Sequence, residues 1–260
     1  MTMNPRLRKF ALTAHVTSSV GWLGAVAVFL ALAGLTSRDA QTVRGACLAM
    51  NFEPTPYRVT NVGRAAELIN GSAVLPDETW SFNRTVGERT EANGFVEGII
   101  INNDQFEKAA GGGVSAVATT VFNAIFFAGV KPVEYGAHSF YIERYPEGRE
   151  ATVAWGSLDL KFKNDSGNAI YIDARATDTS ITITFLGTKK YDSVEAGKGP
   201  RTNVKQPATR EGASGEKCVP QTPLEGFNVA VDRVFKNDGK EVERETFKTR
   251  YVPRDEVTCD

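Results

Sequence analysis

Apolar residues dominate one continuous stretch near the start of the chain. Residues 10–37 contain no Asp, Glu, Lys or Arg, and a helix of about 20 apolar residues is long enough to cross a bilayer. Arg6, Arg8 and Lys9 precede this stretch, and basic residues beside a membrane span favour the cytoplasmic side. The pattern predicts a basic cytoplasmic tail at residues 1–9, a single-pass transmembrane anchor and an extracytoplasmic remainder.

A cleaved signal peptide is the competing interpretation of the same stretch. Ala31-Leu32-Ala33 has the small-x-small form of a cleavage site. The apolar run is longer than a signal-peptide core of about 7 to 15 residues, which favours the retained anchor. Residues 15–50 also look like the opening helix of a small multi-helix membrane protein, so a fusion remnant stays open. The anchor and the cleaved signal peptide both predict export of the chain.

After the apolar stretch, residues 38–57 mix charges and prolines without a sustained period, which predicts a linker. The folded part is expected to begin near Arg58. Apolar positions at helical spacing then predict a helix capped by Asn61 and ended by Asn70-Gly71, with one buried face formed by Val62, Ala65, Ala66 and Ile69.

Three consecutive glycines, Gly111 to Gly113, are followed by an apolar run of helical length that ends at Gly129. Glycine gives the backbone conformational freedom, and a glycine commonly ends a helix. This pattern predicts a loop that leads into the main buried helix. The pattern argues against a nucleotide site, because no Lys-Ser/Thr pair follows the glycines as in a P-loop, and GxGxxG is absent.

Short β-type segments separated by turn residues make up most of the remaining central region. They predict an α+β domain at residues 58–190, with a largely antiparallel sheet packed on the one main helix. The predicted strands are residues 79–82, 94–102, 105–106, 139–144, 151–155, 159–163, 169–174 and 180–187.

The composition turns to Gly, Lys, Pro, Thr and Asn at residues 191–215, which indicates a boundary. Beyond it, residues 227–235 and 241–249 flank Asn237-Asp238-Gly239, a strong signal for a hairpin. A small C-terminal β module is therefore predicted at residues 191–260. In an oxidising exterior, a disulfide between Cys218 and Cys259 is expected.

Composition excludes several classes of function. The net charge of −1 gives no reason to expect a nucleic-acid partner. The chain's 3 cysteines are too few and too scattered for a zinc site, and nothing in the sequence indicates a metal or an organic cofactor.

The candidate chemistry converges on three residues. His138 is the one histidine outside the predicted span, and histidine is the usual acid–base group near neutral pH. Ser115 follows the glycines at the start of a helix, where backbone amides can stabilise an oxyanion. Glu150 can supply the orienting carboxylate. Ser115, His138 and Glu150 are thus candidates for nucleophile, base and orienter. Structural roles are the alternative: Ser115 as a helix cap, His138 bonded to backbone, and Glu150 in a surface pair with Arg144 or Arg149.

Several ordered blocks in residues 58–187 resemble the VanW family, whose name comes from glycopeptide-resistance gene clusters. These blocks are Asn61 through Asn70-Gly71, Leu75 to Asn83, Val86-Gly87 with Arg89-Thr90, Gly94-Phe95, Gly111 to Val114 with Thr119-Thr120, His138-Ser139, Tyr145 with Gly148-Arg149, and Asp159 to Asn164. Residues 227–257 resemble the small β module, named for its glycines, that often follows VanW domains.

The resemblance implies a cell-envelope setting, with peptidoglycan or its precursors as the ligand. Candidate ligand-binding residues in or near the matched blocks are Gly111, Gly112, Gly113, Thr119, Arg149 and Asp159. Where the family typically has Cys-Gln after the glycines, this chain has Ser115-Ala116, and its usual acid after Gly-Arg is Glu150 here. A serine needs a stronger general base than a cysteine does.

The sequence therefore favours a membrane-anchored module that binds cell-wall material. The alternative is an acyl-transferase or amidohydrolase of cell-wall peptide that uses Ser115, His138 and Glu150. A structural partner that acts through the C-terminal hairpin also stays open.

Overall fold

The computed structural model describes residues 43–102, 104–211 and 218–259, with side chains from residue 48 onward. The predicted tail and membrane span, residues 1–37, lie outside this described part. Within it, no helix is long and apolar enough to cross a membrane.

The first sheet is built from four antiparallel strands: β1 (Val43–Asn51), β2 (Ser72–Val74), β8 (Ile170–Ala176) and β9 (Ser180–Gly187). Their order across the sheet is β1-β9-β8-β2. Burial alternates along much of β8 and the start of β9, as expected for a sheet with one face on the core.

Strand β1 corrects the predicted linker. Residues 38–57 show no alternation in sequence, yet Val43–Asn51 pairs along β9 from Val43 opposite Gly187 to Asn51 opposite Ser180. An edge strand has one neighbour, so its ladder can form without an alternating pattern of its own. The folded part therefore begins before Arg58.

Two helices, α1 (Pro56–Ile69) and α3 (Ser115–Ala128), pack on this sheet. Helix α1 begins five residues before the predicted cap because Pro56 occupies its first turn. Asn61 thus lies inside the helix, where its buried amide donates to the carbonyls of Val96 and Gly112, both at 2.9 Å. The buried helix predicted after the glycines is confirmed as α3.

The rest of the central region contains two smaller β units. Strands β3 (Thr79–Ser81), β6 (Lys131–Glu134) and β7 (Lys161–Lys163) form an antiparallel sheet in the order β3-β7-β6. A hairpin joins β4 (Glu97–Asn102) and β5 (Gln105–Ala110). Along the chain, the short helix α2 (Phe82–Val86) and a 3₁₀ turn, Glu91–Asn93, lie between β3 and β4.

Two predicted strands, residues 139–144 and 151–155, are wrong. The chain from 135 to 160 forms only isolated bridges, such as Gly136 with Thr152 and Ala154 with Leu158. Side chains from α3 bond this backbone instead: Thr119 Oγ1 donates to the carbonyl of Ala151 at 2.9 Å. Side-chain hydrogen bonds from α3 thus replace part of the ladder that a strand would form.

The C-terminal region has its own sheet. Strands β13 (Gly226–Asn237) and β14 (Lys240–Tyr251) form the predicted hairpin, which is confirmed, and β10 (Ser193–Lys198) and β11 (Thr202–Lys205) pair with β13. Strands β12 (Thr209–Glu211) and β15 (Glu256–Thr258) form a small parallel pair. The described chain is thus α+β with largely antiparallel sheets.

The C-terminal hairpin shares the core of the central region. Arg233, only 1% exposed, donates to the carbonyls of Ile125, Phe126 and Val130 at the end of α3. Val231 and Phe247 belong to the same hydrophobic cluster as α3. The composition change near residue 191 therefore does not separate two hydrophobic cores. A disulfide joins Cys218 to Cys259, with their Cα atoms 5.8 Å apart.

Candidate functional site

A cavity of about 610 Å³ opens at the N-terminal end of α3. Regular structure supplies part of its lining: the start of α1, the β4–β5 hairpin and the glycine loop before α3. The irregular chain from 138 to 155 supplies another part, and Val219, Pro220 and Arg254 of the C-terminal region complete it.

Glycine is required at each of the three loop positions for a different steric reason. A Cβ on Gly112 would lie 2.3 Å from the backbone carbon of Gly98, so only glycine lets the loop lie against β4. Gly111 and Gly113 have positive φ values of 84° and 90°, which favour glycine. Their backbones lie over the aliphatic stems of Arg89 and Arg58, respectively. The glycine loop thus allows close packing and borders the cavity.

Ser115 is the first residue of α3 and lines the cavity. Its hydroxyl does not cap the helix; Oγ lies 3.3 Å from Oγ1 of Thr152, across the cavity lining. Neither the predicted capping role nor a bond to His138 is formed in the described structure. Ser115 is partly exposed, so its hydroxyl is accessible to a ligand.

His138 and Glu150 form a buried pair beside the same cavity. Nδ1 of His138 contacts Oε2 of Glu150, and the two side chains are 5% and 0% exposed. The imidazole also stacks on Tyr145, with ring centroids 5.3 Å apart and an interplanar angle of 19°. Because Glu150 occupies Nδ1, Nε2 is the ring nitrogen left for the cavity that His138 lines.

Helix α3 fixes the position of Glu150 from both sides. Thr119 Oγ1 accepts from the amide of Ala151 at 3.2 Å as well as donating to its carbonyl. Asn123 Nδ2 donates to the carbonyl of Arg149 at 3.0 Å. Two α3 side chains therefore hold the residues on either side of Glu150. This backbone clamp takes the place of a strand partner.

Glu150 also affects the neighbouring Tyr251. Burial, and next the negative charge of Glu150, raise the pKa of the Tyr251 phenol. Oε1 of Glu150 is buried without a hydrogen-bond partner among the described residues. The carboxylate thus directs one oxygen to His138 and keeps the other in a poorly solvated environment.

The predicted site residues are brought together only in part. Ser115 and His138 line the cavity, Glu150 lies behind His138, and Gly111 and Gly113 border it. Thr119, Arg149 and Asp159 do not line it.

In the described structure Thr119, Arg149 and Asp159 contact other groups instead. The Thr119 hydroxyl is committed to Ala151. Arg149 lies over the ring of Phe127, 4.7 Å from its centroid, away from the cavity. Asp159 accepts from Ser81 Oγ at 2.6 Å and from the Asn83 amide at 2.8 Å. These contacts give each of the three residues a structural role, and their role in binding a ligand stays a prediction.

Sequence reasoning missed a group of charged and aromatic side chains around the cavity. Four arginines and two glutamates line it: Arg58, Arg89, Arg144, Arg254, Glu88 and Glu143. Trp155 is 50% exposed at the same cavity, with the Arg89 guanidinium 6.0 Å from its ring centroid. The arginines are spread over nearly 200 residues, so no local spacing could have indicated that they meet.

The described residues contain no group of three or more His, Cys, Asp or Glu side chains arranged to hold a metal ion. The polar groups at the cavity are four arginines, two glutamates, the Ser115–Thr152 hydroxyl pair and the His138–Glu150 pair. Such a site can bind an anionic, partly apolar ligand, and it holds the parts of a general base.

The fold and the cavity define a class: an α+β domain whose buried helix is entered through a glycine loop and bordered by a His–Glu pair. The model of the VanW-like protein family matches residues 57–186, and the chain belongs to this family. The resemblance seen in residues 58–187 is confirmed.

Two curated proteins are similar to this chain. The uncharacterized protein YoaR of Bacillus subtilis (strain 168) is 35% identical over 136 residues, which cover 52% of this chain and 45% of YoaR. The Vancomycin B-type resistance protein VanW of Enterococcus faecalis (strain ATCC 700802 / V583) is 27% identical over 131 residues, 48% of this chain and 47% of that protein. The chain therefore spans less than half the length of each of these relatives. No solved structure matches it.

Proposed function

We propose that this chain is a cell-envelope protein whose cavity binds peptidoglycan or a peptidoglycan precursor. The observation that carries the proposal is the arginine-rich cavity at the start of α3, large enough for a short peptide. A similar protein is named for vancomycin B-type resistance, and that name supports the proposal. Cell-wall peptides are anionic and partly apolar, and they suit this lining.

Binding is favoured over turnover by the position of the Ser115 hydroxyl. Its partner is Thr152, and no Ser115–His138 hydrogen bond is formed in the described structure. A serine nucleophile needs its base within hydrogen-bond reach, about 2.6–3.2 Å. The cavity is therefore assembled as a recognition site, with His138 and Glu150 presenting a fixed imidazole to the ligand.

The test uses the full-length protein in mild detergent and purified peptidoglycan sacculi. We expect the protein to co-sediment with sacculi, and Arg144→Gln to weaken this binding several-fold, because Arg144 lines the cavity and forms no ion pair with any described residue. Arg175→Gln is the matched control, since Arg175 is 78% exposed on β8 and does not line the cavity. Failure to bind sacculi and soluble muropeptides would remove the proposal.

An acyl-transferase or amidohydrolase of cell-wall peptide is the second candidate. The His138–Glu150 pair and Ser115 border one cavity, which favours it. In this reaction Nε2 of His138 takes the Ser115 proton as Oγ attacks the amide carbonyl, and then returns a proton to the leaving amine. Chromatography of muropeptides after incubation tests it: a new product that disappears with Ser115→Ala is expected, and unchanged turnover in that variant rejects the candidate.

We also propose that residues 10–37 anchor the chain in the membrane, with residues 1–9 in the cytoplasm and the part after the span outside it. The charge-free sequence supports the anchor, and the Cys218–Cys259 disulfide suits an oxidising compartment. With 3 cysteines in the chain, alkylation of membrane-extracted protein should modify only Cys47 without reductant and all three after reduction. Recovery of the protein in the cytosolic fraction, or alkylation of Cys218 without reductant, would contradict this proposal.

A further inference from the structure

Two arginines at the cavity are held in place by the glycine loop. A Cβ on Gly111 would lie 2.5 Å from Cβ of Arg89, and one on Gly113 would lie 3.0 Å from Cγ of Arg58. The loop therefore lies directly on both aliphatic stems. Both side chains line the cavity at the start of α3, so the glycines pack on the stems of two of its arginines.

Neither guanidinium is neutralised in a buried ion pair. Nη1 of Arg89 donates to neutral oxygens, Oδ1 of Asn83 at 2.6 Å and the carbonyl of Gly87 at 3.0 Å. Arg58 contacts Glu53 at 3.3 Å, but that carboxylate is 78% exposed, and Nε of Arg58 is buried without a partner. Burial lowers the pKa of the Arg89 guanidinium, and the negative charges of Asp159 and Glu88 partly offset this shift.

The acidic residues near the cavity compensate this positive charge only in part. Glu143 forms an ion pair with Arg254 at 3.3 Å, so these two charges offset each other. Glu88 is exposed, and Glu150 is directed at His138. Arg144 lies 5.0 Å from the centroid of the Tyr145 ring and makes no ion pair within the described chain. An anion that entered between Arg58 and Arg89 would meet more positive than negative charge.

The remaining lining shows what kind of anion suits the site. Ile99, Ile101, Phe106, Ile142 and Val153 contribute apolar surface to the same cavity. A polymer of phosphodiesters has no apolar groups to place there. A peptide that carries small apolar side chains and a free carboxylate satisfies both parts of the lining, since arginine forms paired hydrogen bonds to carboxylates.

We propose that the cavity recognises a free carboxylate of a cell-wall peptide, held between the guanidinium groups of Arg58 and Arg89 at the start of α3. This inference rests on the proposed binding of peptidoglycan and names the chemical group that is read. The glycine loop is then part of the recognition device, because any side chain at Gly111 or Gly113 would displace an arginine that contacts the ligand.

The test compares two forms of one probe with the full-length protein. Muropeptides released from purified sacculi by a muramidase are used untreated and after carbodiimide coupling to ammonia, which converts their carboxylates to amides. Titration calorimetry should give at least about tenfold weaker binding for the amidated form, the loss expected for one charged hydrogen-bonded pair.

Variants assign this preference to the two arginines. Arg58→Gln and Arg89→Gln keep the stem carbons on which the glycines lie. Arg58→Gln should melt close to the parent chain. Arg89→Gln also loses the bonds to Asn83 and Gly87 and should melt lower, so binding is compared at a temperature where each variant is folded. Each should weaken binding of untreated muropeptides about tenfold and leave the amidated form unaffected. Arg175→Gln, distant from the cavity, should change neither.

The outcomes separate this inference from the proposed function. Equal binding of untreated and amidated muropeptides would overturn carboxylate recognition while leaving cell-wall binding in place. Complete displacement of bound muropeptide by poly(glycerol phosphate) would also overturn it, because the site would then read phosphate. Absence of binding by either muropeptide form would reject the proposed function itself.

Discussion

The cavity has two walls of opposite character. One consists of regular structure, the β4–β5 hairpin and the glycine loop that begins α3, and its backbone bonds lie mostly within those elements. The other, from 136 to 158, has only isolated bridges, yet it carries His138, Thr152 and Trp155 as well as the buried Glu150. The regular wall supplies shape, and the irregular wall supplies the His–Glu pair.

The difference shows how an irregular segment is made rigid. Side chains of α3 bond its backbone on both sides of Glu150, and Tyr251 of β14 accepts from the amide of Gly148 at 3.0 Å. Side chains of the neighbouring helix α3 and of strand β14 therefore hold the backbone of this wall in place, as ladder hydrogen bonds hold a strand. The two walls depend on each other through specific side chains, so substitutions can test each wall separately.

The largest effect is expected when the buried pair of the irregular wall is broken. Glu150→Ala leaves His138 buried without its partner, and removing one member of a buried pair typically costs about 3–5 kcal/mol. Chemical denaturation should show this loss of unfolding free energy. Glu143→Ala is the matched control: its side chain is 65% exposed, so about 1 kcal/mol or less is expected. Similar losses in both variants would contradict the description of Glu150 as a buried partner.

The regular wall should be most sensitive at Gly112. In Gly112→Ala the new Cβ meets the Gly98 backbone at 2.3 Å, and backbone cannot move away cheaply. Overpacking of this kind costs up to about 3 kcal/mol, measurable as a lower midpoint in denaturant. Gly63→Ala in α1 is the contrasting change, because its Cβ would meet nothing within 4 Å. It should stabilise the helix by about 0.5–1 kcal/mol, and destabilisation by both changes would refute the steric argument.

The clamp between the walls is tested at two adjacent threonines. Thr119→Val keeps the shape but leaves the buried amide and carbonyl of Ala151 unpaired, at a cost of about 2 kcal/mol. Thr120→Val removes only a bond to the Ala116 carbonyl within the same helix and should cost less. Hydrogen exchange at the Ala151 amide should accelerate in the first variant alone. Equal exchange in both variants would show that the wall is held by other contacts.

The smallest effect is expected at the outer edge of the irregular wall. Hydrogen bonding to Arg201, and next to Lys198, lowers the pKa of Glu147, which contacts both cations at 2.7 Å. Its contribution is thus complete above the unfolded pKa of about 4.3 and is lost as the pH falls through the lower folded value. Glu147→Gln should remove under about 1 kcal/mol of stability at pH 7 and nothing at strongly acidic pH. A difference that persists in acid would rule out the ion-pair explanation.

Local patterns were good predictors of the regular elements. Helix α3, strand β9 and the hairpin around Asn237 to Gly239 follow from apolar periodicity and turn chemistry, which act over neighbouring residues. The same reasoning failed for β1 and for the two supposed strands between 139 and 155. In both places the outcome depended on a distant partner, β9 in one case and the side chains of α3 in the other.

The sequence by itself determined the family, the α+β class, the glycine loop before a buried helix and the possible partnership of His138 with Glu150. Only the tertiary structure decided that Ser115 contacts Thr152, that Asp159 and Thr119 bind backbone, and that four arginines from distant parts of the chain line one cavity. Periodicity and turn preferences arise from contacts between near neighbours. A binding cavity arises from contacts between residues far apart in the chain, and a single sequence carries no spacing that records them.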